Sequence, residues 1–338
     1  MKTLIIGVGA IGGCLGGWLS EVHDEVYLYD VPEVAETLEE KGITLFLQGA
    51  EDDKKNVKVK VISDLGEVPE PDIVAIAVKN YNLEEVCELV KEKVLGDPIV
   101  LGFQNGIINQ SILPKYFDRV IFTIIEFNAW IEEPGVIGYQ NKGPFVLGAL
   151  EGMEEELKQV KDYFSAAVAT EVTNRVRDAA YCKMVINLTN SFTTLVGFKY
   201  REIESMPLFK KILSTSMYEG VQIVKAAGVT EYKVETMPGW GKIRASATLP
   251  DFITNGIFKK NLEKMVLSSM AQDIIQRKSH ISELDTLVGH FIELANKHGI
   301  PAPYNKTIYG LCKREFGKPV FSPMTETAVW KEIEKALK

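Results

Sequence analysis

The sequence has few of the features that mark a disulfide framework, a metal centre or a nucleic-acid binder. Only four of its 338 residues are cysteines, they lie far apart, and none belongs to a C-x-x-C pair. Such cysteines are typical of buried positions in a reducing compartment, so neither disulfides nor a zinc site is predicted. Basic residues never form a run longer than two and the net charge is −8, which excludes a phosphate-backbone binder.

Other signatures are missing as well. No G-x-S-x-G, P-loop or H-E-x-x-H motif occurs, which leaves hydrolase, nucleoside-triphosphatase and zinc-protease functions without support. Six glycines interrupt the apolar start Leu4–Leu19, so neither a signal peptide nor a membrane span is predicted. We expect a cytoplasmic protein that binds no metal. The histidines stand in hydrophilic segments and are expected at the surface: His23, His280, His290 and His298.

What is present predicts two domains. In the first half, short apolar segments alternate with amphipathic ones, which is typical of a parallel sheet with helices on both faces. From Arg177 onward nearly every segment has helical period. The fold class is therefore α/β, with a doubly wound parallel sheet in residues 1–174 and an all-helical domain in residues 175–338. The predicted strands are 2–7, 25–30, 72–78, 98–102 and 120–125, with a hairpin-like stretch at 43–61.

The segment Gly7-Val8-Gly9-Ala10-Ile11-Gly12 is a G-x-G-x-x-G motif that follows the first strand and opens a helix. In this context one glycine makes the turn, one lets the backbone approach a pyrophosphate, and one lets helix and strand pack closely. The helix N-terminus then attracts the phosphate charge. We predict that Gly7, Gly9, Ala10, Ile11 and Gly12 bind a dinucleotide.

Asp30 is the last residue of the second predicted strand, 18 positions after Gly12. A carboxylate there accepts hydrogen bonds from the adenosine ribose hydroxyls and repels a 2′-phosphate. The following Val31-Pro32 offers no arginine for that phosphate, so NAD(H) is favoured over NADP(H). The alternative is that Asp30 only caps the next helix.

A polar stripe is predicted on the first helix of the second domain. At about 100° per residue, Asn187 lies about 40° from Lys183, Asn190 about 20° to the other side and Ser191 about 80° away. Polar groups on an apolar helix are costly unless they are paired. From the spacing alone, a structural network between helices and a site for a polar ligand remain equally open.

Ser282-Glu-Leu-Asp285 resembles a capping box at the start of a later helix. In that interpretation Glu283 only complements the helix dipole.

Several segments together resemble the ketopantoate reductase (2-dehydropantoate 2-reductase) family along almost the whole chain. They are the Gly7–Gly12 turn, Ala77-Val78-Lys79, Gln104-Asn105-Gly106, Lys183-x-x-x-Asn187, Ser269-Met270-x-Gln272-Asp273-Ile274, Ser282-Glu283-Leu284-Asp285 with Gly289, and Gly299-Ile-Pro-Ala-Pro303-Tyr-Asn305. The resemblance implies a Rossmann-type domain, a helical domain and an active site in the cleft between them.

The resemblance also implies roles for individual residues. Lys183 corresponds to the general acid in the reduction of a 2-keto group, and Glu283 to its acidic partner, which holds substrate and lysine. Asn105 and Ser269 correspond to residues that contact substrate or nicotinamide, and Asn187 to an amide that lines the substrate pocket. Lys79 corresponds to a lysine near the cofactor phosphates. A homodimer formed through the helical domain is also implied, with Trp240 and Trp330 as candidate interface residues if they are not in the core.

The chain departs from the family pattern at four places. The second asparagine expected eight positions after the lysine is replaced by Ser191, and Asn190 stands one position earlier, so both are kept as substrate-binding candidates. The segment between Asp273 and Glu283 is two residues longer than usual. Asp30 stands where many members carry a basic residue, and segment 126–133 is bulkier and more acidic than expected.

The expected function is therefore reduction of a small 2-keto acid, first of all ketopantoate, by NADH. The alternatives are another 2-keto acid or an opine-like substrate on the same architecture, and a non-catalytic NAD(H)-binding sensor. The presence of both Lys183 and Glu283 argues against the sensor, which needs neither.

Overall fold

The computed structural model describes residues 1–233 and 237–338. These residues divide into two compact units, Met1–Arg177 and Asp178–Lys338. The division lies three residues after the predicted position between residues 174 and 175.

The first unit contains two sheets. The described strands in chain order are β1 (Thr3–Ile6), β2 (Val26–Tyr29), β3 (Ile43–Leu47), β4 (Lys55–Val57), β5 (Lys60–Val61), β6 (Ile73–Ile76), β7 (Ile99–Gly102), β8 (Val120–Ile125), β9 (Ala129–Glu133), β10 (Val136–Tyr139), β11 (Phe145–Gly148) and β12 (Thr170–Val172). The main sheet has the order β12-β11-β8-β7-β6-β1-β2-β5. All its neighbours pair in parallel except β8 and β11, which run antiparallel.

The five predicted strands of the main sheet are confirmed, each within one or two residues of its expected ends. Their side chains are buried on both faces of the sheet: all four residues of β1, of β6 and of β7 are buried. Burial on both faces is the reason that these strands read as continuous apolar runs in the sequence. The helices of this unit are α1 (Ala10–Ser20), α2 (Pro32–Lys41), α3 (Leu83–Lys93), α4 (Asn109–Ile112) and α5 (Glu154–Ser165).

The second sheet was predicted only in part. The hairpin-like stretch forms the antiparallel pair β3–β4, but β3 also pairs in parallel with β10, which pairs with β9. The strands β3 and β10 are about ninety residues apart in the chain. Such a pairing leaves no local periodic signal, and the sequence analysis therefore missed β9 and β10.

The glycines of α1 allow both sheets to approach this helix. A Cβ atom added at Gly16 would lie 2.7 Å from Leu28 of the main sheet. Added at Gly13 or Gly17, it would lie 2.1 Å from Ile137 or 2.7 Å from Leu45, both in the second sheet. The glycine-rich start of the chain is thus a tightly packed helix between two sheets.

The second unit is helical, as predicted. Its described helices are α6 (Val176–Leu195, which begins two residues before the unit boundary), α7 (Met206–Ala226), α8 (Trp240–Thr248), α9 (Asp251–Lys264), α10 (Ser269–Ala271), α11 (His290–His298), α12 (Pro303–Phe316) and α13 (Glu326–Ala336). Two π-helical turns, Gln272–Gln276 and Asp285–Gly289, follow α10 and precede α11. Across the described parts of the chain, no helix combines the length and the apolar character that crossing a membrane requires.

Candidate active site

The glycine turn lies between β1 and α1, as the motif predicts. Gly7 has φ +91°, a conformation that side chains other than glycine rarely adopt. A Cβ atom here would also lie 2.8 Å from Cγ1 and 2.9 Å from the backbone nitrogen of Val78. Gly7 therefore makes the turn and brings it against the chain that leaves β6.

Gly9 and Gly12 have different surroundings. A Cβ atom added at Gly12 would lie 1.9 Å from the carbonyl oxygen of Gly7 and 3.1 Å from Cβ of Ala77, so this position accepts no side chain. A Cβ atom added at Gly9 would meet nothing within 4 Å. The space at Gly9 is thus not required by the packing of the unit, and it leaves the N-terminus of α1 open to a phosphate group.

Asp30 is bound to the glycine turn. One carboxylate oxygen accepts a hydrogen bond of 2.5 Å from the backbone N–H of Val8, and the other accepts one of 2.7 Å from Val31. The N-cap residue of α2 is Val31, without a side-chain cap, so the alternative that Asp30 caps this helix is wrong. Each carboxylate oxygen has a second lone pair, which leaves capacity for the hydroxyls of a ribose.

The chain segments after β6 and β7 are joined at the same edge of the sheet. The buried side-chain amide of Gln104 donates to the carbonyl of Ile76 at 2.8 Å and to that of Val78 at 3.1 Å. The side-chain amide of Asn80 donates to the carbonyl of Asn105 at 2.8 Å. These bonds hold the loop that contains Lys79 beside the loop that contains Asn105, and both residues are half-buried. No local pattern in the sequence predicts this positioning role for Gln104.

This edge is where the strand order reverses. The strands β2 and β5 lie on one side of β1, whereas β6, β7 and β8 lie on the other. In open parallel sheets, ligands bind outside the carboxyl ends of the strands at such a reversal. The glycine turn follows β1, Asp30 follows β2 and Lys79 follows β6, so the predicted cofactor residues of this unit share one edge. The open space at Gly9 and the carboxylate of Asp30 fit a dinucleotide.

In the second unit, α6 carries the polar stripe. Lys183, Asn187 and Asn190 are all half-buried, whereas Met184, Val185 and Leu188, on other sides of the helix, are buried. On the buried side, Val185 and Leu188 face Gly220 of α7, where an added Cβ would lie 2.5 Å from Leu188. The stripe is therefore separate from the face that packs into the core.

Ser191 is placed differently from the two asparagines. Its side chain is 1% exposed, and its hydroxyl donates to the carbonyl of Leu188 in its own helix at 2.9 Å. The carbonyl of Ser191 accepts a weak bond from the thiol of Cys312 in α12. These contacts favour a packing role for Ser191 over substrate contact.

The segment that begins with Ser268 meets the stripe at its far end. The hydroxyls of Thr194 and Ser268 lie 3.2 Å apart, and Ser268 accepts a 3.1 Å bond from the N–H of Ala271 as the N-cap of α10. Thr194 lies eleven residues after Lys183, about 20° away around the helix. The structure thus brings half-buried Ser269 to the side of α6 that carries Lys183.

Glu283 is 6% exposed and lies just before the π-helical turn Asp285–Gly289. The capping box predicted around it does not form. Ser282 accepts a long bond of 3.4 Å from the N–H of Leu284. Asp285 accepts bonds from the hydroxyl of Tyr309 at 2.7 Å and from Lys313 at 3.0 Å. Since Asp285 is held by α12, Glu283 belongs to no capping box.

Two of the histidines are not simple surface residues. His290 is half-buried, its Nε2 lies 3.1 Å from the hydroxyl of Tyr181, and burial lowers its pKa from the ordinary 6.5. His23 stacks on Tyr163 with ring centroids 3.9 Å apart. Both side chains are half-buried, so the expected surface position is met only in part, because their partners are distant in sequence and leave no local signal.

A metal centre has no ligand set in the described ranges 1–233 and 237–338, where no three His, Cys, Asp or Glu side chains are grouped to hold an ion.

Comparison with known proteins finds two models of one sequence family that match successive parts of the chain. The model described as "Ketopantoate reductase PanE/ApbA" matches residues 3–152, and that of its C-terminal part matches residues 175–315. A 2-dehydropantoate 2-reductase of Pyrococcus abyssi is 28% identical over 318 residues, 93% of this chain and 97% of that protein. A 2-dehydropantoate 2-reductase of Archaeoglobus fulgidus is 25% identical over 92% of this chain and 97% of that protein.

Solved structures resemble the chain over its whole length. D-mandelate dehydrogenase, solved with NADH and anilino(oxo)acetate, has a TM-score of 0.74 at 19% identity, covering 100% of this chain and 99% of that one. A ketopantoate reductase from Ralstonia eutropha has a TM-score of 0.72 at 23% identity, covering 100% of both chains. At these identities the likeness shows the fold.

Proposed function

Because the chain belongs to the ketopantoate reductase family, we propose that it reduces a small 2-keto acid, ketopantoate first, to the 2-hydroxy acid with NADH. Membership makes the chain an NAD(P)-dependent oxidoreductase of the ketopantoate reductase type. The observation that carries the proposal for this chain is the polar stripe on α6. It presents one ammonium group and two amides on a helix whose neighbouring residues Met184, Val185 and Leu188 are buried.

Residues of the first unit would hold the cofactor. The open N-terminus of α1 at Gly9 would receive the pyrophosphate, with Ala10, Ile11 and Gly12 in the first turn of the helix. Asp30 would accept the ribose hydroxyls and repel a 2′-phosphate, which favours NADH. Lys79 would lie near the phosphates, and Asn105 near the nicotinamide or the substrate. A bound reduced nicotinamide supplies a hydride to the carbonyl carbon.

Lys183 has the central chemical role in the proposed reaction. As the carbonyl carbon is reduced, negative charge develops on its oxygen and a proton is required there. An ammonium group on a half-buried part of α6 stabilises this alkoxide and then donates the proton from Nζ. The proton acceptor is the former carbonyl oxygen, which becomes the hydroxyl of the product.

Glu283 and the amides position the reacting groups. The buried carboxylate of Glu283 would hold the ammonium group of Lys183 in place and accept a bond from a substrate hydroxyl. Asn187, Asn190 and Ser269 would bind the polar groups of the keto acid without adding charge. Ser191 is left out of the proposed contacts because its hydroxyl is buried and bonded to its own helix.

The test is the oxidation of NADH and of NADPH by the purified protein with a panel of 2-keto acids that includes ketopantoate. We expect ketopantoate to give the highest kcat/KM. The preferred substrate could instead be another 2-keto acid, or a 2-keto acid together with an amino acid with which it forms an imine. In either case the substrate assignment is wrong and the reaction class stands. Tight NADH binding without oxidation by any member of the panel would contradict the enzyme and favour the sensor.

We also propose that the protein is a homodimer formed through the helical unit. Three side chains of α9 support this, because they are apolar and exposed: Phe252 by 85%, Ile257 by 66% and Ile253 by 51%. Trp240 is 7% exposed, which excludes it as an interface anchor, and Trp330 is half-buried beneath the ammonium group of Lys211. Light scattering at micromolar concentration should give twice the mass of the chain, and a monomer would refute the dimer.

A further inference from the structure

We infer that Thr194 is a positioning residue of the substrate site, because its hydroxyl holds the turn of Ser268 and Ser269 against the Lys183 face of α6. The inference rests on the proposed function, to which it adds a residue outside the group expected to contact the substrate. Thr194 would act through Ser268 and Ser269, and not on the reacting atoms.

The contact joins the buried hydroxyl group of Thr194 to the hydroxyl group of half-buried Ser268. Thr194 is 0% exposed, and its Oγ1 lies 3.2 Å from Oγ of Ser268. The two residues are 74 positions apart, so the bond joins two separate elements of the helical unit. This hydrogen bond therefore restricts the position of the shorter element, α10, relative to α6.

The shorter element depends on few contacts of its own backbone. α10 consists of three residues, Ser269–Ala271, and continues directly into the π-helical turn Gln272–Gln276. Ser268 is its N-cap, accepting the N–H of Ala271 at 3.1 Å. The hydroxyl that Thr194 contacts is thus the same group that fixes the first turn, which contains Ser269.

The distance along the helix separates Thr194 from the reacting atoms. Eleven residues of α6 rise by about 16 Å between Lys183 and Thr194, which is longer than a small 2-keto acid. Asn187 and Asn190 lie between them on the same side of the helix. The bond at Thr194 therefore sets where Ser269 stands relative to this stripe, while proton donation takes place elsewhere.

The experiment compares Thr194→Val, which keeps the shape and removes the hydroxyl, with Thr194→Ser, which keeps the hydroxyl. Thr193→Val is the matched control, since Thr193 is also buried and its hydroxyl donates within α6, to the carbonyl of Asn190 at 3.2 Å. We expect Thr194→Val to raise KM for the keto acid by about three- to tenfold, with kcat and KM for NADH almost unchanged. Thr194→Ser and Thr193→Val should keep the wild-type KM.

Hydrogen–deuterium exchange and a double variant test the role of Thr194 independently of the KM of Thr194→Val. In Thr194→Val the amides of residues 268–271 should exchange hydrogen for deuterium faster than in Thr193→Val, whether or not the keto acid is the right substrate. The double variant with Ser268→Ala should have the KM of Ser268→Ala alone. Equal KM and equal exchange in Thr194→Val and Thr193→Val would overturn the inference. An inactive wild type with faster exchange in Thr194→Val would refute the proposed function and leave the positioning contact supported.

Discussion

The two units present their candidate site residues in opposite ways. In the first unit the site is formed mainly by the backbone: a glycine turn with open space at Gly9, no room at Gly12, and Asp30 bonded to the N–H of Val8. In the helical unit the site is formed by side chains, with Lys183, Asn187 and Asn190 along one side of α6.

The difference determines which substitutions are informative. Where the backbone forms the site, replacing a glycine by a larger residue should weaken binding or folding, because the added Cβ atom occupies the space of the ligand or of a neighbouring segment. Where side chains form the site, removing their functional groups should lower activity, whereas the helix should still fold. Under the proposed function, binding of the cofactor pyrophosphate thus depends on main-chain geometry, whereas the reaction depends on a small number of polar side chains.

The largest effect is expected at Lys183. Lys183→Ala should lower kcat by about 10²–10⁴-fold, the range for loss of general acid catalysis, and leave NADH affinity nearly unchanged. Lys158→Ala is the control, since Lys158 is exposed on α5. Steady-state kinetics and thermal unfolding are measured on the same preparations. A folded Lys183→Ala protein with near-wild-type kcat would contradict the role of Lys183.

The glycine turn tests the other side of the comparison. Gly9→Ala should weaken NADH binding by at least about tenfold and leave the melting temperature unchanged, because the added methyl group meets only the space of the pyrophosphate. Gly12→Ala should instead lower the melting temperature, since its Cβ would lie 1.9 Å from the carbonyl oxygen of Gly7. Calorimetric titration and thermal unfolding separate the two. Equal behaviour of both variants would mean that the open space at Gly9 has no ligand.

Glu283 is expected to matter less than Lys183. Glu283→Ala should raise KM for the keto acid by more than it lowers kcat, because a positioning group acts on the bound substrate before the transition state. Asp285→Ala is the neighbouring control, since Asp285 is bonded to Tyr309 and Lys313 of α12. A fall in kcat as large as that of Lys183→Ala would instead place Glu283 in the proton transfer itself.

Asp30 is proposed to set the cofactor preference. The wild type should bind NADH at least about tenfold more tightly than NADPH, from repulsion of the 2′-phosphate at a partly solvated carboxylate. Asp30→Asn keeps one oxygen acceptor for the N–H of Val8 and should reduce the preference with little loss of stability. Asp30→Ala also removes that bond and should lower the melting temperature as well. Tighter binding of NADPH by the wild type would show this interpretation of Asp30 to be wrong.

The smallest effect is a pH dependence that belongs to the helical unit. Burial lowers the pKa of His290 below its ordinary 6.5, partly opposed by Glu293. Near pH 6 the unfolded chain therefore binds a proton at this position more readily than the folded chain. The stabilising contribution is complete above about pH 6.5 and is lost as the pH falls through the lowered pKa. His290→Gln should lessen this loss between pH 7 and pH 5, whereas the same change at exposed His298 should not; denaturant unfolding at each pH is the measurement.

The sequence predicted those features that depend on neighbouring residues. The strand, the glycine turn and α1 form one continuous pattern, and the angle between Lys183 and Asn187 follows from helical geometry alone. Contacts between distant segments could not be predicted from the sequence. The pairing of β3 with β10, the bond of Tyr181 to His290 and that of Thr194 to Ser268 each join residues dozens of positions apart. The capping box failed for the same reason, because α12 holds Asp285 instead.

The most direct test of the account is to follow the hydrogen that reaches the carbonyl carbon. The protein and ketopantoate are incubated with NADH that carries deuterium at C4 of the nicotinamide, in each of its two stereochemical forms. The mass of the product is then measured by mass spectrometry. We expect one deuterium on C2 of the hydroxy acid from one labelled form only, and none on carbon when unlabelled NADH is used in D₂O. A product without deuterium from either labelled form, or no product at all, would contradict hydride transfer to a 2-keto acid by this protein.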